Sequence, residues 1–460
     1  MTTDLNSPKS EPTMETPAWK QVVAKYQKPA IGRSTWQIAN TLLPYAAIWF
    51  LIYLTLSVSV WLTLPLAILM GGFLVRMFII HHDCGHGSFF KSRRANDIWG
   101  FITGVLTFVP YYHWRWEHAV HHATSGDLDR RGMGDIWTLT VQEYLESSRW
   151  QRFAYRLARN PVVLFVIAPL YIFLIKQRFP KAAAGKRERN SVYWTNLAIL
   201  GMAGGLIWVL GFKAYVLVQL TATAVAGSAG VWLFYVQHQF EGVYWERAGE
   251  WDYATAALHG SSFYKLPKIL QWFSGNIGFH HIHHLSSRIP NYHLEKAHDA
   301  EPLFQKVKPI TLFPSMKSLT LRLWDEQRQK LVGYRALRAV RSWSAFDLRE
   351  GVRRKISLPN ASIQVELQHA KQRVCMRLEG ALSATDAEGL GQRIRDSLAR
   401  SKSWLVLDLN KLQWDKIQDL RPLREKLASY RSRIRLILPK LAAAHPEVIL
   451  LAGMFQHYKG

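Results

Sequence analysis

The sequence predicts a mainly α-helical membrane protein, with four spans under a helical cap and a C-terminal α/β domain. Three observations carry this expectation. Apolar residues are segregated: residues 41–80 hold one charge, Arg76, and residues 194–236 hold one, Lys213. The net charge of +25, from 58 Lys and Arg against 33 Asp and Glu, avoids those two runs. From about residue 360 the long apolar runs give way to short alternating ones.

A spanning helix needs about 20 mostly apolar residues, since the hydrocarbon core is about 30 Å thick and a helix rises about 1.5 Å per residue. Residues 41–80 are long enough for two spans, with the join expected near Thr63 and Pro65. Residues 194–236 give a second pair, with a tight turn at Gly211-Phe212-Lys213. Two shorter apolar runs, 98–112 and 161–175, fall at or below the limit. The second is basic on both sides, with Arg156 and Arg159 before it and Lys176, Arg178 and Lys181 after it. A span there would put one basic cluster outside, so this run is expected not to cross.

Residues 1–40 carry Lys9, Lys20, Lys25, Lys28 and Arg33 and no signal-peptide apolar core. The expected outer turns carry only Lys213. Lys and Arg accumulate on the cytoplasmic side of membrane proteins. Both termini and the large polar segments are therefore expected in the cytoplasm, with the chain as a multi-pass protein of a bacterial inner membrane. Two cysteines, Cys84 and Cys375, exclude a disulfide scaffold and a cysteine-based zinc ribbon. The charge excess alone could suggest nucleic acid, but no binding module or basic stripe occurs, and no nucleic-acid partner is expected.

Fifteen of the 18 histidines lie between His81 and His298. Three clusters stand out: His82 with His86, His118 with His121 and His122, and His280 with His283 and His284. On a helix, residues three and four apart share a face. Each cluster therefore presents its imidazoles together, beside an apolar run and on the expected cytoplasmic side. Eight imidazoles exceed one four-coordinate zinc and suit two metals with open positions. Imidazole by itself leaves zinc, copper, iron and nickel open. His113 and His281 fall off the pattern and are expected not to be ligands. Asp83, Asp127, Asp129 and Asp135 are candidates to fix imidazole tautomers by accepting from the second ring nitrogen. Asn276, four residues before His280, is expected to cap that helix or to reach the site. Trp114, Trp116 and Trp232 are expected to pack or anchor at the interface rather than line a channel.

These residues resemble the membrane fatty-acid desaturase family, and most of all its Δ12 (omega-6) acyl-lipid type. The carrying stretches are His82-Asp-Cys-Gly-His86, Trp114-Arg-Trp-Glu-His118-Ala-Val-His121-His122 and Gly275-Asn-Ile-Gly-Phe-His280-His-Ile-His283-His284. Tyr235-Val-Gln-His238-Gln-Phe-Glu and Arg288-Ile-Pro-Asn-Tyr292 add to them, and the likeness covers residues 35–335. It implies two non-haem iron ions held by the histidines, O2 as co-substrate and an acyl chain of a membrane lipid as substrate. It also implies His238 as a further ligand outside the boxes. The third box begins with His280 rather than Gln, and no His-Pro-Gly-Gly haem motif occurs. Electrons are therefore expected from a separate ferredoxin or cytochrome b5-like donor. A related di-iron hydroxylase or ketolase acting on a lipid or carotenoid shares these boxes. A non-catalytic membrane lipid sensor would be expected to have broken ones.

The expected organisation is an N-terminal segment 1–40, a desaturase-like domain 41–335, a basic linker 336–358 and a final domain 359–460. In that domain, strands are expected at 362–368, 374–378, 404–409 and 434–438, and helices at 384–400, 419–430 and 445–455. The order ββαβαβα resembles a STAS domain, carried by Leu405-Val-Leu-Asp-Leu-Asn410 before a helix. No Ser or Thr stands at Lys416-Ile417-Gln418, so a phospho-switch is not expected, and the domain's protein partner is unknown.

Overall fold

Inside hydrocarbon the backbone must satisfy its own polar groups, so the long apolar runs form helices. The computed structural model describes residues 16–337 apart from 327, and then 355–357, 364–370, 373–399, 404–413, 420–437, 450 and 456–457. It divides into two units, Met1–Gly333 and Tyr334–Gly460.

The first unit opens with α1 (Thr16–Ala24), followed by α2 (Ile31–Leu56) and α3 (Val60–His86). The α2–α3 join lies at residues 57–59, earlier than Thr63 and Pro65. Ser59 decides it, because its side chain accepts the Trp61 N–H and starts α3 there. Pro65 then falls in the second turn of α3, where its ring removes a single helical hydrogen bond. The second hairpin is α9 (Lys186–Leu210) and α10 (Phe212–His238). Its one-residue turn is Gly211 at φ 81°, a backbone region that side chains disfavour. These four helices are long and apolar enough to cross a membrane. α3 packs against α2, α4 (Arg93–Leu106) and α10. Trp36, Leu43, Phe50, Leu200 and Trp208 stand exposed on α2 and α9, as lipid-facing residues would.

The run 98–112 is split between α4 and α5 (Tyr111–Thr124), with the break at Phe108, which takes a positive φ before Pro110. A two-residue strand, β1 (Leu139–Thr140), leads into α6 (Val141–Glu146) and α7 (Arg149–Ala158). The run 161–175 holds a π-helical turn, Val163–Ile167, and α8 (Ala168–Leu174). It meets α7 at a bend of 62°, so this pair is not one straight span. Arg159 sits buried at the bend and donates to Gln239 Oε1 at 2.9 Å and to the Leu321 carbonyl at 3.0 Å. Beyond α10 come α11 (Tyr253–His259), β2 (Phe263–Lys265), α12 (Lys268–Phe273), α13 (His280–Leu285), α14 (Asn291–Ala300), α15 (Pro302–Gln305) and β3 (Pro309–Thr311). Two short strands, β4 (Leu323–Asp325) and β5 (Lys330–Val332), close the unit. β2 pairs with β3, and β4 lies between β1 and β5.

In the second unit, β6 (Lys355–Ser357), β7 (Gln364–Ala370), β8 (Arg373–Gly380), β9 (Trp404–Leu412), β10 (Ile434–Ile437) and β11 (Gln456–His457) form one sheet. The spatial order is β11-β10-β9-β8-β7-β6. β6, β7 and β8 pair antiparallel, and β8 to β11 pair parallel. Leu390, Ile394 and Leu398 of the helix Ala384–Ala399 bury against Leu405, Leu407 and Leu409 of β9. β6 departs from the expected linker, because three residues of it complete the edge of the sheet. The expected 445–455 helix apart from residue 450, residues 416–418 and linker residues 338–354 lie outside the described residues.

One close approach in the first unit has a measurable consequence. A Cβ on Gly100 would stand 2.1 Å from the Tyr111 ring, whose hydroxyl is tied to the Cys84 carbonyl at 2.7 Å. Overpacking of this kind costs roughly 1–3 kcal/mol. Gly100→Ala should therefore lower the melting temperature in detergent, and an unchanged value would show that the ring can move aside.

Candidate metal centre

Four helix ends bring the histidines together. His82 and His86 occupy the last turns of α3, which stops at Gly87 in the left-handed region. His118, His121 and His122 lie on α5, His238 is the last residue of α10, and α13 begins at His280. Each cluster spans about one helical turn, so its rings leave the same face.

The rings divide into two adjacent groups. Ligand-capable atoms of His82, His86, His118, His122 and His283 lie within 4.8 Å of one another, as do those of His121, His238 and His284. His280 adjoins the second group, its Nε2 standing 3.0 Å from that of His238 and 3.1 Å from that of His284. The groups touch where His122 and His284 stack with centroids 4.2 Å apart. The second and third clusters are thus each shared out. His118, His122 and His283 go to one group, and His121, His280 and His284 to the other. A common helical face did not reveal this division, because each neighbouring ring leans toward a different partner helix.

Hydrogen bonds at the far nitrogens orient two rings. Asp135 Oδ1 lies 2.6 Å from His121 Nδ1, and the Gly260 carbonyl 3.3 Å from His238 Nδ1. A carboxylate and a carbonyl only accept, so both Nδ1 atoms carry the proton. The two Nε2 atoms face each other at 3.2 Å, and in the neutral form of each ring that nitrogen offers a lone pair. Two nitrogens bound at about 2.1 Å to one ion, at an angle near 100°, would stand about 3.2 Å apart. His86 Nε2 is buried without a hydrogen-bond partner. Burial holds the His118, His122, His280, His283 and His284 imidazoles well below their ordinary pKa, which keeps them neutral. Facing Nε2 atoms, an orphaned buried nitrogen and neutral rings all fit bound cations.

The remaining expected site residues fall in different places. Asp83 Oδ1 lies 3.0 Å from His82 Nδ1, and its Oδ2 accepts the Asn291 backbone N–H at 2.6 Å and side-chain amide at 2.8 Å. Asp127 touches no histidine; it accepts the Asp129 and Arg130 N–H groups and pairs with Arg130. Asp129 pairs with Arg247 at the surface. Asn276 neither caps α13, whose N-cap is Phe279, nor reaches a ring. It takes a positive φ, accepts from Gln271 and donates to the Asn291 carbonyl, so it steadies the residue that holds Asp83. Asn291 was missed by the sequence reading, although it lies in the Arg288–Tyr292 stretch noted for its likeness. His113 accepts the Lys181 N–H, and His281 packs against Phe263 and His298.

A cavity of about 650 Å³ reaches these rings, lined by His82, His118 and His280 at one end. Its wall otherwise comes largely from α3, α8 and α10. Trp114 lines it and stacks on His118 with centroids 4.4 Å apart, contrary to the packing role expected for it. The ring sits on the cavity side because α5 turns Trp114 and His118, one turn apart, the same way. Trp232 donates instead to the Tyr264 hydroxyl.

The family model for fatty acid desaturases matches residues 59–311. A fatty acid desaturase of Bacillus subtilis (strain 168) is 51% identical over 318 residues, which cover 69% of this chain and 90% of that protein. An sn-1 acyl-lipid omega-3 desaturase (ferredoxin) of a Synechocystis species is 27% identical over 271 residues, 54% of this chain and 68% of the relative. An sn-1 oleoyl-lipid 12-desaturase of the same source is 27% identical over 260 residues, 54% of this chain and 70% of the relative.

Two outcomes follow from the ring environments. Carboxylates that orient ligating histidines are worth about 10- to 100-fold in metal affinity. Asp135→Asn should weaken metal retention by that factor in chelator competition, while Asp129→Asn should not; equal retention by both would remove Asp135 from the site. The buried rings also make the metal-free protein acid-sensitive. Their folded pKa lies below the ordinary imidazole value of about 6.5, so the unfolded chain binds more protons under acid. Stability of the metal-free protein should be full above about pH 6.5 and fall as the pH drops below it, as read from melting temperatures across pH.

Proposed function

The chain belongs to the fatty acid desaturase family, and on that premise we propose that it is a di-iron enzyme converting membrane-lipid acyl chains to cis-unsaturated ones with O2. The observation that carries the metal assignment is the pair of adjacent histidine groups, each with its ligand-capable atoms within 4.8 Å of one another. We assign His82, His86, His118, His122 and His283 to one iron, and His121, His238, His280 and His284 to the other. Asp83 and Asp135 are the tautomer-fixing carboxylates. Soft thiolate ligands are absent from both sets, and imidazole is a usual iron ligand.

When bound, iron would supply the reduction of O2 and the removal of hydrogen from two neighbouring methylenes. The balance is one O2 taking four electrons, two from the chain and two from a donor, to give two waters and one double bond. The protein's own part is positioning. The cavity accepts an apolar chain, and its volume lies in the usual range for ligand sites. Trp114, stacked on His118, and Phe78 present apolar surface beside the rings, which keeps water from the reacting carbons. Holding one C–C bond at the metals supplies much of the rate gain available to such a site.

A separate one-electron carrier completes the balance, and the ferredoxin named for one cyanobacterial relative supports that class of donor. The Lys and Arg distribution supports a multi-pass inner-membrane protein with the histidine-bearing ends and both termini in the cytoplasm. A Δ12 (omega-6) position rests on the residues around the histidine boxes, and channel depth is the physical quantity that sets it. The second unit is read as a STAS-like docking or regulatory domain with an unidentified protein partner.

Expression in a host without desaturases tests the reading. The wild-type chain should bind two irons and give unsaturated lipids. His283→Ala should lower product at least 100-fold, with loss of iron. A variant as active as wild type would sink the proposal.

A further inference from the structure

A second cavity, a groove of about 560 Å³, lies where α4, α5 and α9 meet, and no histidine lines it. Phe101 of α4, Tyr112 of α5 and Trp194 of α9 form its apolar walls. Lys186, Arg187 and Asn190, from the first turns of α9, line it as well. At about 1.5 Å per residue, Lys186 stands about 12 Å before Trp194. The groove is therefore cationic toward the start of α9 and apolar further along the helix. Trp194, Tyr193 and Leu197 on α9 and Ile98 and Ile102 on α4 are exposed, so its flanks continue the lipid-facing surface.

The charge at this end is one-sided. Residues 176–189 hold Lys176, Arg178, Lys181, Lys186, Arg187 and Arg189 against one acid, Glu188. Lys181 pairs with Glu117, and Arg187 lies 3.3 Å from the Glu188 carboxylate. Lys186 and Arg189 are exposed and pair with no carboxylate among the described residues. Lys and Arg stems lie readily along apolar surface while their charged heads reach the headgroup level. A groove between α2 and α4 also has apolar walls, but Lys91 is the one cation among the described residues that line it.

The groove also touches the start of a histidine-bearing helix. The Tyr112 N–H, in the first turn of α5, donates to Ser191 Oγ at 3.0 Å. The Arg187 guanidinium lies 4.6 Å from the centre of the Tyr112 ring. A ligand seated between Phe101, Tyr112 and Trp194 would therefore fill the junction of three helices. It would hold α5 against α9 at the end where α5 begins.

We propose that this groove is a binding site for an anionic glycerophospholipid, separate from the cavity that reaches the histidines. Lys186 and Arg187 take the phosphate, Asn190 donates to it from one turn further on, and an acyl chain lies against Phe101 and Trp194. Basic pockets between membrane helices suit anionic headgroups, because the cations gain a fixed counter-charge while the chain covers apolar side chains. A zwitterionic headgroup carries its own cation and gains less from the same residues.

The test uses the full chain, stripped of lipid in detergent and titrated with phosphatidylglycerol, phosphatidylcholine or inorganic phosphate. Binding is read by native mass spectrometry and by melting temperature, so the result does not depend on turnover or on iron. Wild type should bind phosphatidylglycerol at least tenfold more tightly than phosphatidylcholine, with a rise in melting temperature that inorganic phosphate does not give. Lys186→Glu with Arg187→Glu should lose that preference and that rise. The milder pair Lys186→Gln with Arg187→Gln should weaken phosphatidylglycerol at least fivefold, and it serves where the reversed pair does not fold. Lys306→Glu with Lys308→Glu, an equal charge change on the exposed loop before β3, should bind as wild type does. Equal affinity of wild type for the two lipids would overturn the proposal. So would an equal loss in the Lys306 and Lys308 variant, which would make the effect one of overall charge. An equal rise with inorganic phosphate would reduce the site to one for a small anion and overturn it too.

Discussion

Two imidazole Nε2 atoms facing each other at 3.2 Å, on His121 and His238, form the constraint on which the arrangement depends. Such a contact needs a proton or a metal cation between the nitrogens. It persists here because Asp135 and the Gly260 carbonyl hold the opposite nitrogens as donors. The same demand spreads outward. Asp83 holds His82, Asn291 holds Asp83, and Asn276 holds the Asn291 backbone. Each link fixes the next, so ring orientation is built into loops that carry no ligand themselves.

Helix ends are what make the cluster possible. A histidine inside a straight span would face hydrocarbon or a neighbouring helix. At the last turns of α3 and α10 it reaches the helical cap instead. α5 and α13 then close over those ends, and burial keeps their rings neutral, the state that binds metal. The apolar cavity runs away from the cluster along the same α3 and α10 that carry His82 and His238. One pair of helices thus sets both the metal position and the path of an acyl chain, so the depth of the path is measured from the metals.

Much of this was legible in the sequence, because it depends on local spacing. The two hairpins followed from runs too apolar for water, and Gly211 marked its own turn. The histidine boxes followed from helical period. The run 161–175 was too short and too basic at its flanks to read as a span, and it meets α7 at a 62° bend. The join between the first two spans was misplaced, because a capping serine outranks a proline that a helix tolerates in its second turn. Trp114 was misread, because an aromatic beside a membrane packs in most settings, and only its stacking on His118 reveals the cavity. In the second unit, the 384–400 helix expected from the sequence buries Leu390, Ile394 and Leu398, while β6 joined the sheet through backbone pairing that composition does not reveal.

The sequence by itself determined that the chain has four long apolar helices, three histidine boxes and an α/β tail, because each of these is a pattern within one segment. The division of the boxes between two groups, the carboxylates that touch a ring and the path of the channel come from the packing of distant segments. Those depend on the angles at which separate helices meet. His121 and His122 are neighbours in sequence, yet His121 groups with His238 of α10 and His122 with His82 and His86 of α3. Asp127 and Asp135 looked alike in the loop after α5, and the fold alone brought one of them to within 2.6 Å of a histidine.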